Sequence, residues 1–260
     1  MKIVTSRLSE SFSEVELHVF SDWHIGDSNC DLQAIANELN AVLAKENAFV
    51  ILNGDLMNNA TKASVSDCYA EVIPPQKQID LLYELLKPIK ERILLITSGN
   101  HEDRTMRGDG IDLMACLSVR LGLEDVYCRE GGLLFVKFGS GLGRTKRSHS
   151  KRPYTYTLYV THGNGGGKRA GGKINRLEDL SNIVDADVYV HSHTHLPAIM
   201  KEDFIRTSPQ NCTATQVTKL FVNTSSMLNF GGYGAKNGFR PSSTDSPVIY
   251  LTKDNAYAKL

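Results

Sequence analysis

Three short strand-like runs each stop at a polar cluster, and this arrangement constrains the fold more than any other feature of the chain. Val15–Phe20 ends at Ser21-Asp22-Trp23-His24, Ala48–Leu52 at Asn53-Gly54-Asp55, and Ile93–Thr97 at Ser98-Gly99-Asn100-His101-Glu102. Runs this short, rich in β-branched and aliphatic residues and bounded by turn residues, read as buried strands. Between them, Leu32, Ile35, Ala36, Leu39, Val42 and Leu43 repeat at helical spacing. Ile79, Leu82, Leu85 and Leu86 do the same after Pro74-Pro75, a suitable helix start, and Ile111–Leu121 reads as a third helix ending near Gly122. The first half is therefore β-α-β-α-β-α, which predicts a largely parallel sheet covered by helices.

The second half is richer in strands. Leu133–Phe138, Tyr154–Val160, Val188–Val190, Val217–Val222 and Val248–Leu251 fit that pattern, and only Leu177–Ile183 reads clearly as helix. Gly139–Arg152 reads as a basic hairpin loop, Gly163–Gly172 as a Gly-rich basic loop, and Ser208–Thr218 and Asn229–Ser246 as surface loops. No repeat or linker divides the chain. The expectation is one α/β domain over residues 1–260, with two packed sheets and helices outside.

Two further clusters follow the later strands, His162-Gly163 and His193-x-His195. All of the polar clusters sit at or just after the C-terminal end of an expected strand, the edge where ligand sites collect in open α/β sheets. Asp22 and His24, two residues apart, project from the same side of an extended segment, as do His193 and His195, so each pair can grip one cation. The carboxylate of Asp55 has two oxygens and can bridge two cations ~3.5–4 Å apart. Asn100 offers a neutral carbonyl oxygen. Mixed imidazole and oxygen donors suit manganese, iron, zinc, nickel or cobalt better than a site of oxygens alone would.

The order D-x-H, G-D, G-N-H-[DE], H, then H-x-H resembles the signature of the calcineurin-like metallophosphoesterases, and these motifs span residues 22 to 195. The Gly-Asn-His-Glu-Asp-Arg stretch and the Gly-rich loop after His162 further resemble compact phage and prophage phosphoesterases. The resemblance implies a four-layer α/β/β/α sandwich of two mixed sheets flanked by helices. It implies two divalent transition-metal ions, manganese first among them. Asp22, His24, Asp55 and His195 would hold one, and Asp55, Asn100, His162 and His193 the other. His101 would contact the substrate phosphate and protonate the leaving oxygen, with a water or hydroxide between the metals as nucleophile. One position departs from the pattern: Ser192 stands where the family usually has Gly, which Ser can replace only if that backbone needs no positive φ.

Other residues have two readings each. Glu102 and Asp103 either orient a ligand histidine or cap a loop. Arg104 and Arg107 either hold a substrate phosphate or pair with Asp103 and Asp109. Lys168 and Arg169, in the Gly-rich stretch 164–176, suit a phosphate-contacting lid and do not form a Walker A loop, since no G-K-[ST] occurs. Lys137, Arg144, Lys146, Arg147, Lys151 and Arg152, with Tyr154 and Tyr156 nearby, either hold a nucleic-acid strand or line a solvated hairpin. His191 and His18 read as structural and His149 as solvated.

Composition narrows the partners. Lys plus Arg is 29 and Asp plus Glu is 29, which speaks against a uniformly basic nucleic-acid binder and leaves room for local basic loops. No apolar run reaches the length of a membrane span, and Met1–Glu10 has no apolar signal-peptide core, so a cytoplasmic protein is expected, in the host cytoplasm if phage-encoded. The five cysteines are scattered and never spaced C-x-x-C, as in buried reduced thiols. The sequence carries no signal for oligomeric state. The expected function is dinuclear-metal hydrolysis of phosphate esters, with a phosphodiesterase or nuclease acting on DNA or nucleotides favoured. The alternatives are a phosphomonoesterase acting on phosphoproteins or small molecules and, in another class, a non-catalytic metal-bound scaffold.

Overall fold

The computed structural model describes residues 1–62, 64, 68–141 and 152–260. One sheet has the order β11-β10-β2-β3-β4, built from β2 (Glu14–Phe20), β3 (Ala48–Asn53), β4 (Ile93–Thr97), β10 (Val248–Thr252) and β11 (Ala256–Lys259). The other has the order β1-β5-β6-β7-β9-β8. Its strands are β1 (Lys2–Arg7), β5 (Gly132–Gly141), β6 (Arg152–Val160), β7 (Val188–His191), β8 (Ala198–Ser208) and β9 (Thr213–Asn223). Both sheets are mixed. β2, β3 and β4 run parallel while β10 and β11 pair antiparallel, and β6, β7 and β9 run parallel between antiparallel neighbours.

Side-chain alternation explains the layers. Leu17, Val19, Ile51 and Leu95 pack between the sheets against Leu134, Val136, Leu158, Val188 and Leu220. Phe20, Val50, Leu52 and Ile96 face the other way, onto α1 (Leu32–Leu43), α2 (Pro75–Leu86) and α4 (Leu113–Leu121) through Leu39, Leu82 and Leu117. Strands buried on both faces read as continuous apolar runs, which is why the sequence shows them. On the far side, Leu177 of α5 (Ala170–Glu178) covers Tyr159, Tyr189 and Phe221. The result is the expected α/β/β/α sandwich of two mixed sheets.

The register positions the site. Phe20 pairs with Leu52 and Asn53 with Thr97, so β2, β3 and β4 end together. Val160 pairs with Val190, and His191 with Asn223, so β6, β7 and β9 also end together. The buried side chain of Asn53 joins the two edges by donating to the Thr161 carbonyl at 2.9 Å and to the Ser192 hydroxyl at 2.7 Å.

Several local expectations change. The region read as a loop at Ser208–Thr218 is largely strand, because β8 and β9 form a long hairpin whose alternating half-exposed residues hide its pattern. β1 and β11 escaped for the same reason: they are short edge strands without a continuous apolar run. α5 begins at Ala170, inside the stretch read as a Gly-rich loop, and a short 3-10 turn over Asp179–Asn182 replaces the rest of the expected Leu177–Ile183 helix. Packing of Leu177 and Leu180 against the sheet outweighs the helix penalty of Gly171 and Gly172. α3 (Asp103–Asp109) and α6 (Gly232–Lys236) were not expected. Of the basic hairpin residues, Arg144, Lys146, Arg147, His149 and Lys151 lie outside the described residues, whereas Lys137 is on β5 and Arg152 begins β6.

Candidate metal centre

The loop after β2 runs alongside the loop after β3. Asp22 N–H donates to the Gly54 carbonyl at 3.1 Å and His24 N–H to the Asp55 carbonyl at 3.0 Å. Backbone pairing thus continues past the strands and brings the first two clusters together. The third cluster joins through Glu102, whose buried carboxylate accepts from the N–H groups of Asp55 (2.9 Å), Gly99 (2.9 Å) and Met57 (3.0 Å). Gly54 and Gly99 meet face to face: a Cβ on Gly54 (φ +75°) would lie 2.5 Å from Gly99 N, and one on Gly99 2.1 Å from Asp55 Oδ1. The Gly-Asp and Gly-Asn-His motifs need their glycines for this contact.

Asp22, His24, Asp55, His193 and His195 all adopt positive φ, between 49° and 63°. Left-handed backbone costs a non-glycine residue about 1–2 kcal/mol and persists where surrounding bonds over-determine it. Those bonds aim the side chains inward. Asp22, His24 and His195 bring donor atoms within 4.8 Å of one another, and so do Asp55, His162 and His193. His195 Nε2 lies 3.1 Å from Asp22 Oδ1 and 3.2 Å from His24 Nε2. Such spacing is what two nitrogens take around one cation at metal–nitrogen bonds of about 2.1 Å.

In the second group, His162 Nδ1 donates to the Asn53 carbonyl at 2.7 Å, which leaves Nε2 3.3 Å from Asp55 Oδ2. The buried atoms His193 Nδ1 and Asn100 Oδ1 have no hydrogen-bond partner, and buried His162 Nε2 has only its ion-pair contact with Asp55. Orphaned buried polar atoms are costly, and His193 Nδ1 and Asn100 Oδ1 point to an ion as the missing partner. The donor set of carboxylate, amide oxygen and imidazole fits divalent transition metals.

Electrostatics holds the two buried carboxylates in their ionised form. Burial alone would raise Asp22, but His195 and His162 bring it down to about 2. Burial likewise opposes ionisation of Asp55, and His162 and His101 outweigh it and hold Asp55 well below the usual carboxylate range. Burial resists charge on His162, yet Asp55 and the Asn53 carbonyl raise it to about 10. Burial pushes His24, His101 and His193 down, toward the neutral form that binds metal. Glu102 rises to about 7 through burial and the nearby charge of Asp55.

His101 lies beside the cluster with its N–H donating to Asp55 Oδ1 at 2.8 Å. Its Nδ1 faces the Asn58 carbonyl at 2.7 Å, so the ring proton sits there and Nε2 accepts from Arg104 Nη2 at 2.9 Å. Arg104 therefore pairs with His101, while Asp103 pairs with Arg129 at 3.1 Å. Lys168 lines the cavity above the cluster, whereas Arg169 is exposed at the start of α5 and is not part of that lining. His191 packs its ring where a Cβ on Gly163 would be, 2.1 Å from Nε2, and its Nδ1 lies 2.7 Å from Asn223 Oδ1.

Sequence reasoning missed the supporting shell. Asn58 holds His101 from the loop after β3, and Asn59 donates to the His101 carbonyl at 2.8 Å. Gln78, fully buried on α2, accepts from Asn59 N–H at 2.9 Å. Ser192 has no positive φ, and its hydroxyl accepts from Asn53 and from Thr224 (2.8 Å). The one available signal was composition: polar residues at the ends of apolar strands.

A two-sheet sandwich with Asp, Asn and His donors gathered at the strand ends defines a metal-dependent hydrolase scaffold. The Calcineurin-like phosphoesterase family model matches residues 16–197, more than half of the chain and every donor above. The chain belongs to that family and is a metal-dependent phosphoester hydrolase. No curated protein matches the sequence. Among solved structures, the chain is similar to a single mutant of Vps29 from Entamoeba histolytica at 12% identity, with 94% of this chain and 97% of that one covered and a TM-score of 0.45. A metallophosphoesterase from Sphaerobacter thermophilus shares 12% identity over 95% of this chain and 89% of that one, with a TM-score of 0.41. A putative 5'-nucleotidase from Staphylococcus aureus shares 13% identity over 95% of this chain and 53% of that one, with a TM-score of 0.42. Likenesses this distant add nothing to the family match. Among the described residues no helix is long and apolar enough to cross a membrane.

Proposed function

We propose that residues 1–260 form one phosphodiesterase domain that cleaves nucleotides or DNA with two divalent cations, manganese first among them. Asp22, His24, Asp55 and His195 would hold one cation, and Asp55, Asn100, His162 and His193 the other. The observation that carries the two-cation part of this reading is a set of three adjoining donor groups, with Asp55 in two of them and 3.9 Å from His101. Bound there, the cations supply Lewis acidity, which makes hydroxide available near neutral pH and offsets charge on the phosphoryl oxygens.

The chain's own groups do the rest. Glu102 fixes the loops that carry Asp55 and Asn100, and Asn53 fixes the tautomer of His162 so that Nε2 faces inward. His101 and Arg104 form a hydrogen-bonded pair beside the donors, where both can bind phosphoryl oxygens. With its ring proton on Nδ1, His101 can protonate a leaving oxygen from Nε2 only after Arg104 releases that nitrogen and the ring takes up a second proton from water.

The test compares bis(p-nitrophenyl) phosphate with p-nitrophenyl phosphate in the presence of Mn, together with elemental analysis. Faster diester hydrolysis, about two metals per chain, and loss of at least about 10³-fold in turnover in Asp55→Asn are expected. Preference for the monoester makes the protein a phosphomonoesterase. Two bound metals with no turnover of either ester make it a scaffold.

A further inference from the structure

The metal-donor cluster forms the floor of a cavity of about 540 Å³, within the range of about 300–1,000 Å³ that accommodates a whole small ligand. Its far wall comes from residues 226–242, beyond the stretch that matches the family. On that wall Phe230 is 57% exposed. Of the nine phenylalanines, all among the described residues, it is the one that is exposed. Its place is fixed by backbone: Asn229 N–H donates to the Asn29 carbonyl at 2.9 Å, Asp31 N–H to the Met227 carbonyl at 2.8 Å, and Leu228 bridges to Cys30. These contacts tie the wall to the loop that carries Asp22 and His24.

A ring held toward an open cavity leaves its apolar area available to a ligand. Phe239 and Leu196 add apolar surface to the same cavity, and Lys168, Lys173 and Arg240 add positive charge. A phosphate on a small aliphatic alcohol would use the charge and leave the aromatic wall idle. Aromatic face and cations together match a nucleotide, whose base stacks while its phosphates meet the cations.

We infer that this cavity is a nucleotide subsite, with the scissile phosphate over the metal-donor cluster and the base stacked on Phe230. The inference rests on the phosphodiesterase reading above and names what that site selects. Phe230 thereby becomes the specificity residue, and Lys168 and Arg240 supply charge to the phosphate.

Calorimetric titration of thymidine 5'-monophosphate into the Mn-loaded protein tests it directly. Phe230→Ala should weaken binding about tenfold and Phe230→Tyr should restore it to within about twofold, the usual range for one stacked base. Equal affinity of wild type and Phe230→Ala, or no binding by wild type, overturns the subsite. A second arm compares thymidine 5'-(p-nitrophenyl phosphate) with ethyl p-nitrophenyl phosphate, which share a leaving group. The ratio of their kcat/KM values should fall about tenfold in Phe230→Ala, and an unchanged ratio counts against the subsite. If wild type hydrolyses neither diester, the phosphodiesterase reading fails while the binding titration still decides the subsite. Tetrathymidylate replaces the monophosphate in a third arm. Tighter binding identifies a strand as the source of the nucleotide and equal binding a free nucleotide, and either supports the subsite.

Discussion

Arg104 Nη2 lies 2.9 Å from His101 Nε2, and Arg104 Nη1 reaches the same Asn58 carbonyl that His101 Nδ1 faces, at 2.9 Å and 2.7 Å respectively. One carbonyl therefore orients both side chains, and the two should act as a unit. His101→Ala should lower kcat about 10²–10³-fold, the range for a lost transition-state donor. Arg104→Ala should cost about 10–100-fold by itself and little more when added to His101→Ala. Steady-state kinetics on the double-mutant cycle reads this, and additive losses would show that the residues act independently.

Glu102 ties three backbone N–H groups from two loops, two of them through Oε2. A glutamine at this place must turn its amide NH₂ toward at least one of those donors. Glu102→Gln should therefore cost about 1–3 kcal/mol of stability and weaken metal binding about 10–100-fold. Thermal melts and metal competition would measure the two effects, and a variant that keeps both values would remove Glu102 from its supporting role.

Ser192 supplies a fully buried hydroxyl between Asn53 and Thr224, and Thr224 in turn meets Ser21 at 2.7 Å. Ser192→Gly, which restores the usual family residue, should lower stability by about 1 kcal/mol through the lost hydrogen bonds and the added backbone freedom. Its metal content should match that of the wild type, because Asn53 keeps its bond to the Thr161 carbonyl and still holds His162. Denaturant unfolding with elemental analysis tests both halves.

In the metal-free protein His162 is raised to about 10, so it carries a proton at neutral pH. Ligation needs the neutral ring, so metal binding must expel that proton. Calorimetry in buffers of different ionisation enthalpy should find about one proton released per chain at pH 7.5, and metal affinity should rise with pH up to about 10. The sign for folding is opposite. A raised histidine stabilises the metal-free protein fully below its unfolded value, and that contribution disappears as pH climbs through about 10. The melting temperature of the metal-free protein should fall across that window. A flat profile, or binding without proton release, would contradict a charged His162.

Some elements were legible because their physics is local. β2, β3 and β4 are buried on both faces, so their apolar runs stand out, and α1 and α2 show one apolar face each. β8 and the first half of β9 were less legible, because β8 alternates between half-exposed and exposed residues and the start of β9 is exposed, whereas the buried end of β9 was readable within Val217–Val222. The donors themselves were readable as residue types at strand ends. Their helpers were not: Asn58, Gln78 and Asn223 are ordinary polar residues until a neighbour distant in sequence is placed beside them.

The sequence by itself determined the buried strands and amphipathic helices in their order, the packing of two sheets between helices and the residues able to hold metal, since hydrophobic period and donor chemistry are properties of a segment. In contrast, β1, β8, β11, α3 and α6 were not marked in it. Tertiary structure alone decided how the clusters meet. Parallel register ends β2, β3 and β4 at one level and β6, β7 and β9 at another, and Asn53 and Ser192 bolt those edges together. It also decided that five donors take left-handed backbone and that Arg104 pairs with His101 and not with Asp103. Such choices depend on which atoms come within about 3 Å of one another, and distances between segments far apart in the chain exist only after the sheets have packed.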